Sequence, residues 1–171
     1  MKRVLILGGS GAGKSTLARI LGERTGLPVI HLDQHYWRAG WKMPSSEEWK
    51  AQVAGLAGRP AWIMDGNFAS TFPERMAVAD TVIALDFPTW LCVWRVLRRL
   101  VSRYGTVRED LPEGCPEQFD WTFLKFVLGF NRTHRPQMLA AYEAFPGTKA
   151  ILRSPSEVRR YLESVPRGAP P

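Results

Sequence analysis

Eight residues near the N-terminus constrain this chain more than any others: Gly8-Gly9-Ser10-Gly11-Ala12-Gly13-Lys14-Ser15. They fit G-x-x-x-x-G-K-[ST], a loop whose backbone N–H groups cradle phosphate. The flanks fit too. Val4 to Leu7 form a continuous apolar run of the kind found in strands buried on both faces. Lys14 to Arg24 carry Leu17, Ile20 and Leu21 at helical spacing, and Gly26-Leu27-Pro28 end the helix. The glycines let the backbone turn sharply around an anion, and the helix N-terminus adds its positive dipole end. Gly8, Gly9, Ser10, Gly11, Ala12, Gly13, Lys14, Ser15 and Thr16 are therefore the candidate residues for binding ATP or a similar triphosphate. Lys14 brings a full charge to the β- and γ-phosphates, and the Ser15 hydroxyl is a candidate Mg2+ ligand.

The rest of the chain alternates strand and helix signals. Pro28–Leu32 is a short strand ending at Asp33. A helix starts at Ser46, capped by Ser45 or Ser46, with Glu47 and Glu48 in its first turn and Gly58 closing it. Ala61–Met64 is a strand ending at Asp65-Gly66, followed by a short helix over Glu74–Val78. Thr81–Leu85 is a strand ending at Asp86, and Thr89–Tyr104 a long helix. Gly105–Gln118 is loop, rich in Gly and Pro. Helix resumes near Asp120 and bends or breaks near Pro136. Ala150–Leu152 is the fifth strand. Ser154 or Ser156 caps a last helix through Leu162, and Pro166–Pro171 is expected to fray. This order predicts an α/β fold, one domain of 171 residues, with a five-stranded parallel sheet covered by helices on both faces. Ligands bind such sheets outside the carboxyl ends of the strands, where Gly8, Asp33, Asp65 and Asp86 all fall.

The chain carries 23 basic and 16 acidic residues, a net +7. That excess suggests an anionic partner, nucleotide phosphates or nucleic acid. No stretch reaches the roughly 20 apolar residues of a membrane span, and the N-terminus lacks the longer apolar core of an export signal. The two cysteines, Cys92 and Cys115, form no CxxC pair. These features predict a cytoplasmic protein with free thiols, no zinc motif and no membrane partner. A GTPase would carry N-K-x-D, which is absent. Transporter and mechanical ATPases need more chain. A small kinase remains.

A family resemblance rests on several further stretches. They are His31-Leu32-Asp33 with Tyr36-Trp37 and Gly40-Trp41; Trp62-Ile63-Met64-Asp65-Gly66-Asn67-Phe68; and Ala79-Asp80-Thr81 with Leu85-Asp86. Trp94-Arg95, Arg98-Arg99, Arg108-Glu109-Asp110 and Gly114-Cys115-Pro116-Glu117 continue the pattern. Together with the glycine-rich loop, they make nearly the whole chain resemble the adenylate-kinase-related DNA topology modulation proteins (FlaR-related). The wider nucleoside-monophosphate kinase superfamily then implies a P-loop NTPase fold, with an acceptor-binding segment at about 33–59 and a lid at about 104–119. Where adenylate kinases show Asp-Gly-Phe-Pro-Arg, this chain has Asp65-Gly66-Asn67-Phe68-Ala69.

Candidate roles follow, each beside a plainer one. Asp65 holds Mg2+ through water opposite Ser15, or forms a turn ahead of Gly66. Asp33 orients or deprotonates an acceptor hydroxyl, or caps a loop. Trp37, four residues before Trp41, stacks a flat acceptor or packs a small subdomain. Arg75 binds an acceptor phosphate or makes a surface salt bridge. Arg95, Arg99 and Arg103 share a helical face. With Arg108 and Arg135 they form a lid set able to stabilise the transferring phosphoryl group, or a solvated basic stripe. The tryptophans other than Trp37 and Trp41 are expected in helix or strand core, and Cys115 in a structural loop. The expected function is ATP- and Mg2+-dependent phosphoryl transfer to a nucleotide, nucleoside or other small acceptor by a monomer or homodimer. The alternative is an ATP-binding regulator linked to DNA topology, touching nucleic acid through the arginine-rich helix.

Overall fold

The computed structural model describes residues 1–167. A five-stranded, all-parallel sheet runs in the order β2-β3-β1-β4-β5. Its strands are β1 (Arg3–Gly8), β2 (Val29–His31), β3 (Trp62–Asp65), β4 (Thr81–Leu85) and β5 (Thr148–Leu152). The α/β expectation therefore holds. β1 lies at the centre, pairing Val4 with Ile63 on one side and with Thr81 on the other. Both its faces are covered, which is why Val4 to Leu7 are apolar without alternation.

Alternate residues of each strand feed two cores. Leu5, Leu7, Trp62, Met64, Val82 and Ala84 face one layer. That layer includes α3 (Ser46–Ala57), α4 (Phe72–Val78) and α7 (Arg135–Ala144). Val4, Ile6, Ile63, Ile83 and Leu85 face the other, where α1 (Lys14–Thr25), α5 (Thr89–Arg103) and α8 (Pro155–Ser164) pack. α6 (Trp121–Thr133) joins both clusters through Phe130 and Val127. Helix ends follow local chemistry. Ser45 accepts from Glu48 N at 3.2 Å, Ser154 from Glu157 N at 3.2 Å and Asp120 from Thr122 N at 2.7 Å. Each cap is worth about 1 kcal/mol. Gly26 ends α1 in the left-handed conformation, φ 74°.

The helix break expected near Pro136 is present: it falls at His134, with Pro136 in the first turn of the next helix, where its missing N–H costs nothing. Two expectations need correction. β2 stops at His31, and Asp33 is the second residue of a one-turn helix, α2 (Leu32–Tyr36), rather than a strand end. Trp49 and Trp62 are buried, but Trp90, Trp94 and Trp121 are exposed. The expected fraying at 168–171 lies outside the described residues.

Candidate active site

The glycine-rich loop leaves the carboxyl end of β1 and enters α1. Gly11 (φ 83°) and Gly13 (φ 95°) take left-handed conformations that other residues adopt only under strain. A Cβ on Gly11 would also collide with the Cys92 carbonyl of α5. Arg95 reaches from α5 to the loop, its Nη1 donating to Gly11 O at 3.4 Å and Ala12 O at 3.3 Å. Asn67 holds the start of the loop from the other side. Its Nδ2 donates to Gly8 O at 2.7 Å, and its Oδ1 accepts from Gly8 N at 2.9 Å. Lys14 Nζ donates to Gly9 O at 3.2 Å. Both loop ends are thus fixed by side chains from other strands' connections.

Carboxylates gather opposite Ser15. Asp65, at the end of β3 and buried, lies 2.7 Å from His31 Nδ1 across the β2–β3 pair. Burial disfavours the His31 imidazolium, but Asp65's hydrogen bond and charge outweigh it and raise the His31 pKa. Asp33 sits within electrostatic reach of Lys14, Asp65, Arg108 and Asp110; burial raises its pKa and the Lys14 charge only partly opposes this. The third carboxylate comes from the loop at 104–120. Asp110 Oδ2 accepts from Ser15 Oγ at 2.8 Å. Burial pushes the Asp110 carboxyl up, yet Arg108 and Ser15 prevail and hold it below its ordinary value.

Behind Asp110 lies a charge network. Arg108 Nε is 3.4 Å from Asp110 Oδ1 and 3.1 Å from Glu117 Oε1, and Arg99 Nε is 2.9 Å from the same Glu117 oxygen. These are close ion pairs without aligned hydrogen bonds: neither buried Nε–H points at an acceptor. Burial, then the neighbouring Arg108 charge, lowers the Arg99 pKa.

The loop at 104–120 is pinned at its base by Gly105 N to Glu117 O and Glu117 N to Thr106 O, both 2.8 Å. Its tip rests on the segment after α2. Gly40 N donates to Gly114 O at 3.0 Å, Cys115 Sγ to Arg38 O at 3.2 Å, and the Gln34 amide to Glu109 O. Cys115 is buried there, among the loop's own contacts.

Lys14, Ser15, Asp33, Asp65, Arg99 and Arg108 therefore converge. Four other expected residues lie apart from this convergence. Arg103 is exposed in the last turn of α5, outside the network. Trp37 packs edge-on against Tyr36 (centroids 5.0 Å) and Trp41 (5.3 Å), favouring the subdomain-packing role. Arg75 is not an acceptor ligand on a surface. It is fully buried, and its donors go to Gly66 O (2.9 Å), Asn67 O (2.6 Å), Phe68 O (3.0 Å) and both oxygens of Thr71. Arg135 is held by Asp86 through two bonds of 2.6 and 2.8 Å, tying α7 to the end of β4. Of the α5 arginines expected to meet nucleic acid, Arg95 and Arg99 point into the protein instead. Asn67, Asp110 and Glu117 were not singled out as site residues, although each lies in a stretch carrying the family resemblance. What distinguishes them is long-range pairing, which no local pattern encodes.

Beside Gly9 and Ser10 lies a shallow hollow lined by Leu85, Phe87, Phe130 and Asn131. No helix among the described residues is long and apolar enough to cross a membrane.

No protein-family model matches the chain. The fold matches solved P-loop kinases over almost its full length. Shikimate kinase from Acinetobacter baumannii, solved in complex with shikimate, aligns with a TM-score of 0.61 at 18% identity, covering 95% of this chain and 89% of that one. A sugar kinase from Janibacter aligns at 0.53 and 19% identity, covering 95% and 93%. Such low identity speaks for the P-loop kinase-like fold alone. At sequence level the similarity is firmer with YqaC of Bacillus subtilis, itself described as uncharacterized: 32% identity over 130 residues, 74% of this chain and 71% of that protein, so the chain belongs to the YqaC family.

Proposed function

We propose that the chain is an ATP-dependent phosphotransferase acting on a small acceptor. The observation that carries this reading is the convergence of four groups at one sheet edge. Lys14 and Arg108 lie within electrostatic reach of Asp33, and Ser15 is bonded to Asp110, which Arg108 also meets from the overlying loop. Phosphoryl transfer needs little covalent help from a protein; it needs alignment and charge stabilisation.

Each residue has a role in this proposal. The backbone N–H groups of residues 9–15 and Lys14 Nζ hold the donor phosphates. Arg108 and Arg99, with Nε–H groups not spent on aligned hydrogen bonds, meet the negative charge that spreads over the transferring group. Asp33 takes the acceptor's hydroxyl proton. Its raised pKa brings it closer to the range in which a carboxylate serves as a base near neutrality. The loop at 104–119 serves as the lid, excluding water so that transfer outcompetes hydrolysis.

The donor set also fits Mg2+. Ser15, Asp65 and Asp110 offer only oxygen ligands around the phosphate position, the preference of a hard cation that keeps most of its waters. When bound, Mg2+ would neutralise phosphate charge. No group of three or more His, Cys, Asp or Glu able to hold a metal ion occurs among the described residues.

The test is ADP formation from Mg-ATP by purified protein against a panel of nucleoside monophosphates, nucleosides, sugars and small hydroxy acids. Shikimate belongs in the panel because it occupies the structural neighbour. Stimulation by one acceptor of at least a hundredfold, lost in Lys14→Ala, is the expected result. Unstimulated turnover across the panel, with ATP still bound, would refute the proposal.

A further inference from the structure

α5 is amphipathic in an inverted sense. Its arginines Arg95 and Arg99 turn inward to the phosphate loop and to Glu117, and its inner face is completed by Cys92 and Val96. Its apolar stripe faces outward. Trp90 is 70% exposed, Trp94 52%, Leu97 40%, Val101 84% and Tyr104 67%. The steps between these residues are 4, 3, 4 and 3, the a/d period with which one helix packs along another. With Phe119, which shares a groove with Leu97, these residues expose on the order of 800 Å2 in all, backbone and polar atoms included, comparable to one side of a stable dimer interface.

We propose that α5 packs antiparallel against α5 of a second copy of this chain. A two-fold axis at Leu97 sets Leu97 on the partner's Leu97, Trp94 on the partner's Val101 and Trp90 on the partner's Tyr104. Large residues then face smaller ones toward the centre, the helix dipoles oppose, and the contact closes on itself. Parallel pairing would stack Trp94 on its own copy. Charge separates this occupant from others. A lipid surface or nucleic acid is attracted by basic side chains bordering the apolar stripe. Here two of the four α5 arginines, Arg95 and Arg99, are turned away; of the exposed pair, Arg98 lies against the Trp94 ring, its guanidinium carbon 5.4 Å from the centroid, and Arg103 sits in the last turn, too few for a continuous basic border. The proposal does not depend on the catalytic reading.

Size-exclusion chromatography with light scattering, on the full chain from 1 to 200 µM, tests it. The expected mass is twice that of the chain, and Leu97→Arg, which sets two guanidinium groups at the axis, weakens the dimer at least a hundredfold while keeping the wild-type circular-dichroism spectrum and a cooperative melt, its Tm lowered only by the lost association. A monomer at every concentration overturns the proposal, including one that binds anionic vesicles. So does a dimer that Leu97→Arg leaves intact. Should Leu97→Arg fail to fold, Leu97→Cys oxidised by copper-phenanthroline decides: rapid cross-linking across the axis is expected, and its absence overturns the pairing.

Discussion

Replacing Arg75 with Met separates two readings of one residue. As an acceptor ligand, Arg75 would affect substrate binding and little else. As a buried strut, it holds the chain between β3 and α4. The Gly66–Phe68 stretch is conformationally costly: Gly66 has φ 133° and Phe68 φ 24°, and a non-glycine residue at positive φ costs about 1–3 kcal/mol. Arg75 offsets that cost with five hydrogen bonds to Gly66, Asn67, Phe68 and Thr71. Burial pushes its pKa down to about 9, still above neutrality, so the guanidinium remains charged. Met matches its apolar stem but leaves the carbonyls unpaired, at about 1–3 kcal/mol for each group that water cannot reach. Relief of guanidinium desolvation returns part of this. The expected net loss is about 3–5 kcal/mol, a fall in Tm of roughly 10 °C for a chain of this size. Because Asn67 carries the bonds to Gly8, ATP affinity should fall as well. Thermal unfolding and ATP titration check both. A variant melting within about 2 °C of wild type, but with KM raised for the acceptor alone, would refute the strut and restore the ligand role.

Three further outcomes follow from the same geometry. Asn67→Ala should lose both bonds to Gly8, costing about 2 kcal/mol and weakening ATP binding about tenfold in calorimetry; unchanged affinity would mean the loop holds its shape unaided. Asp110→Ala should release Ser15 and Arg108, speeding amide exchange across residues 104–119 while Tm hardly moves, and equal exchange would show that the loop is held elsewhere. Asp80 accepts from Lys2 N (2.7 Å), Arg3 N (2.9 Å) and the Thr81 hydroxyl (2.7 Å). Burial raises its pKa, but these bonds outweigh burial and depress it. Its contribution is therefore present above the unfolded value near 4 and lost as pH falls through the folded pKa. Urea melts should show Asp80→Asn less stable than wild type by about 1 kcal/mol at pH 7, with the gap closing below pH 4; a gap constant down to pH 3 would refute the linkage.

What could be read from the sequence was local. The phosphate loop, the strand–helix alternation and the caps at Ser45 and Ser154 depend on neighbouring residues and fixed periods, so they were legible. The burial of Arg75 is not legible in the same way, because composition and position place an arginine near the sheet edge but do not say which way it points. Its partners are backbone carbonyls, which every residue possesses and no pattern marks. The exposed Trp90 and Trp94 were misjudged for a related reason. An amphipathic helix announces two faces, and the usual assignment puts the apolar one inward. Here the inner face must meet a phosphate loop, so the arginines take it. Asp110 stands 95 residues from Ser15, a separation at which only the folded chain brings carboxylate to hydroxyl.

The loop at 104–119 touches both the phosphate loop and the stretch from Gln34 to Gly40, so on the proposed reading its opening is coupled to both. Opening the lid breaks the contacts at Gly40–Gly114, Arg38–Cys115 and Gln34–Glu109 together with Ser15–Asp110. At about 0.5–1.5 kcal/mol for each, net of water's replacement bonds, closure is favoured by roughly 2–6 kcal/mol before the ordering cost of the loop. Acceptor and nucleotide displace these contacts when the lid closes over them, so the first to bind meets that cost and lowers it for the other. Lid and acceptor segment then act as one element, and positive cooperativity between ATP and acceptor is built into the contact between them. Gly114 (φ 81°) is where it can be cut, since a Cβ there would lie 2.9 Å from the Ala39 Cβ. Gly114→Val should keep ATP binding and weaken the dependence of acceptor affinity on ATP, measured by titrating each ligand with and without the other. Equal cooperativity in wild type and variant would show that the two segments close independently.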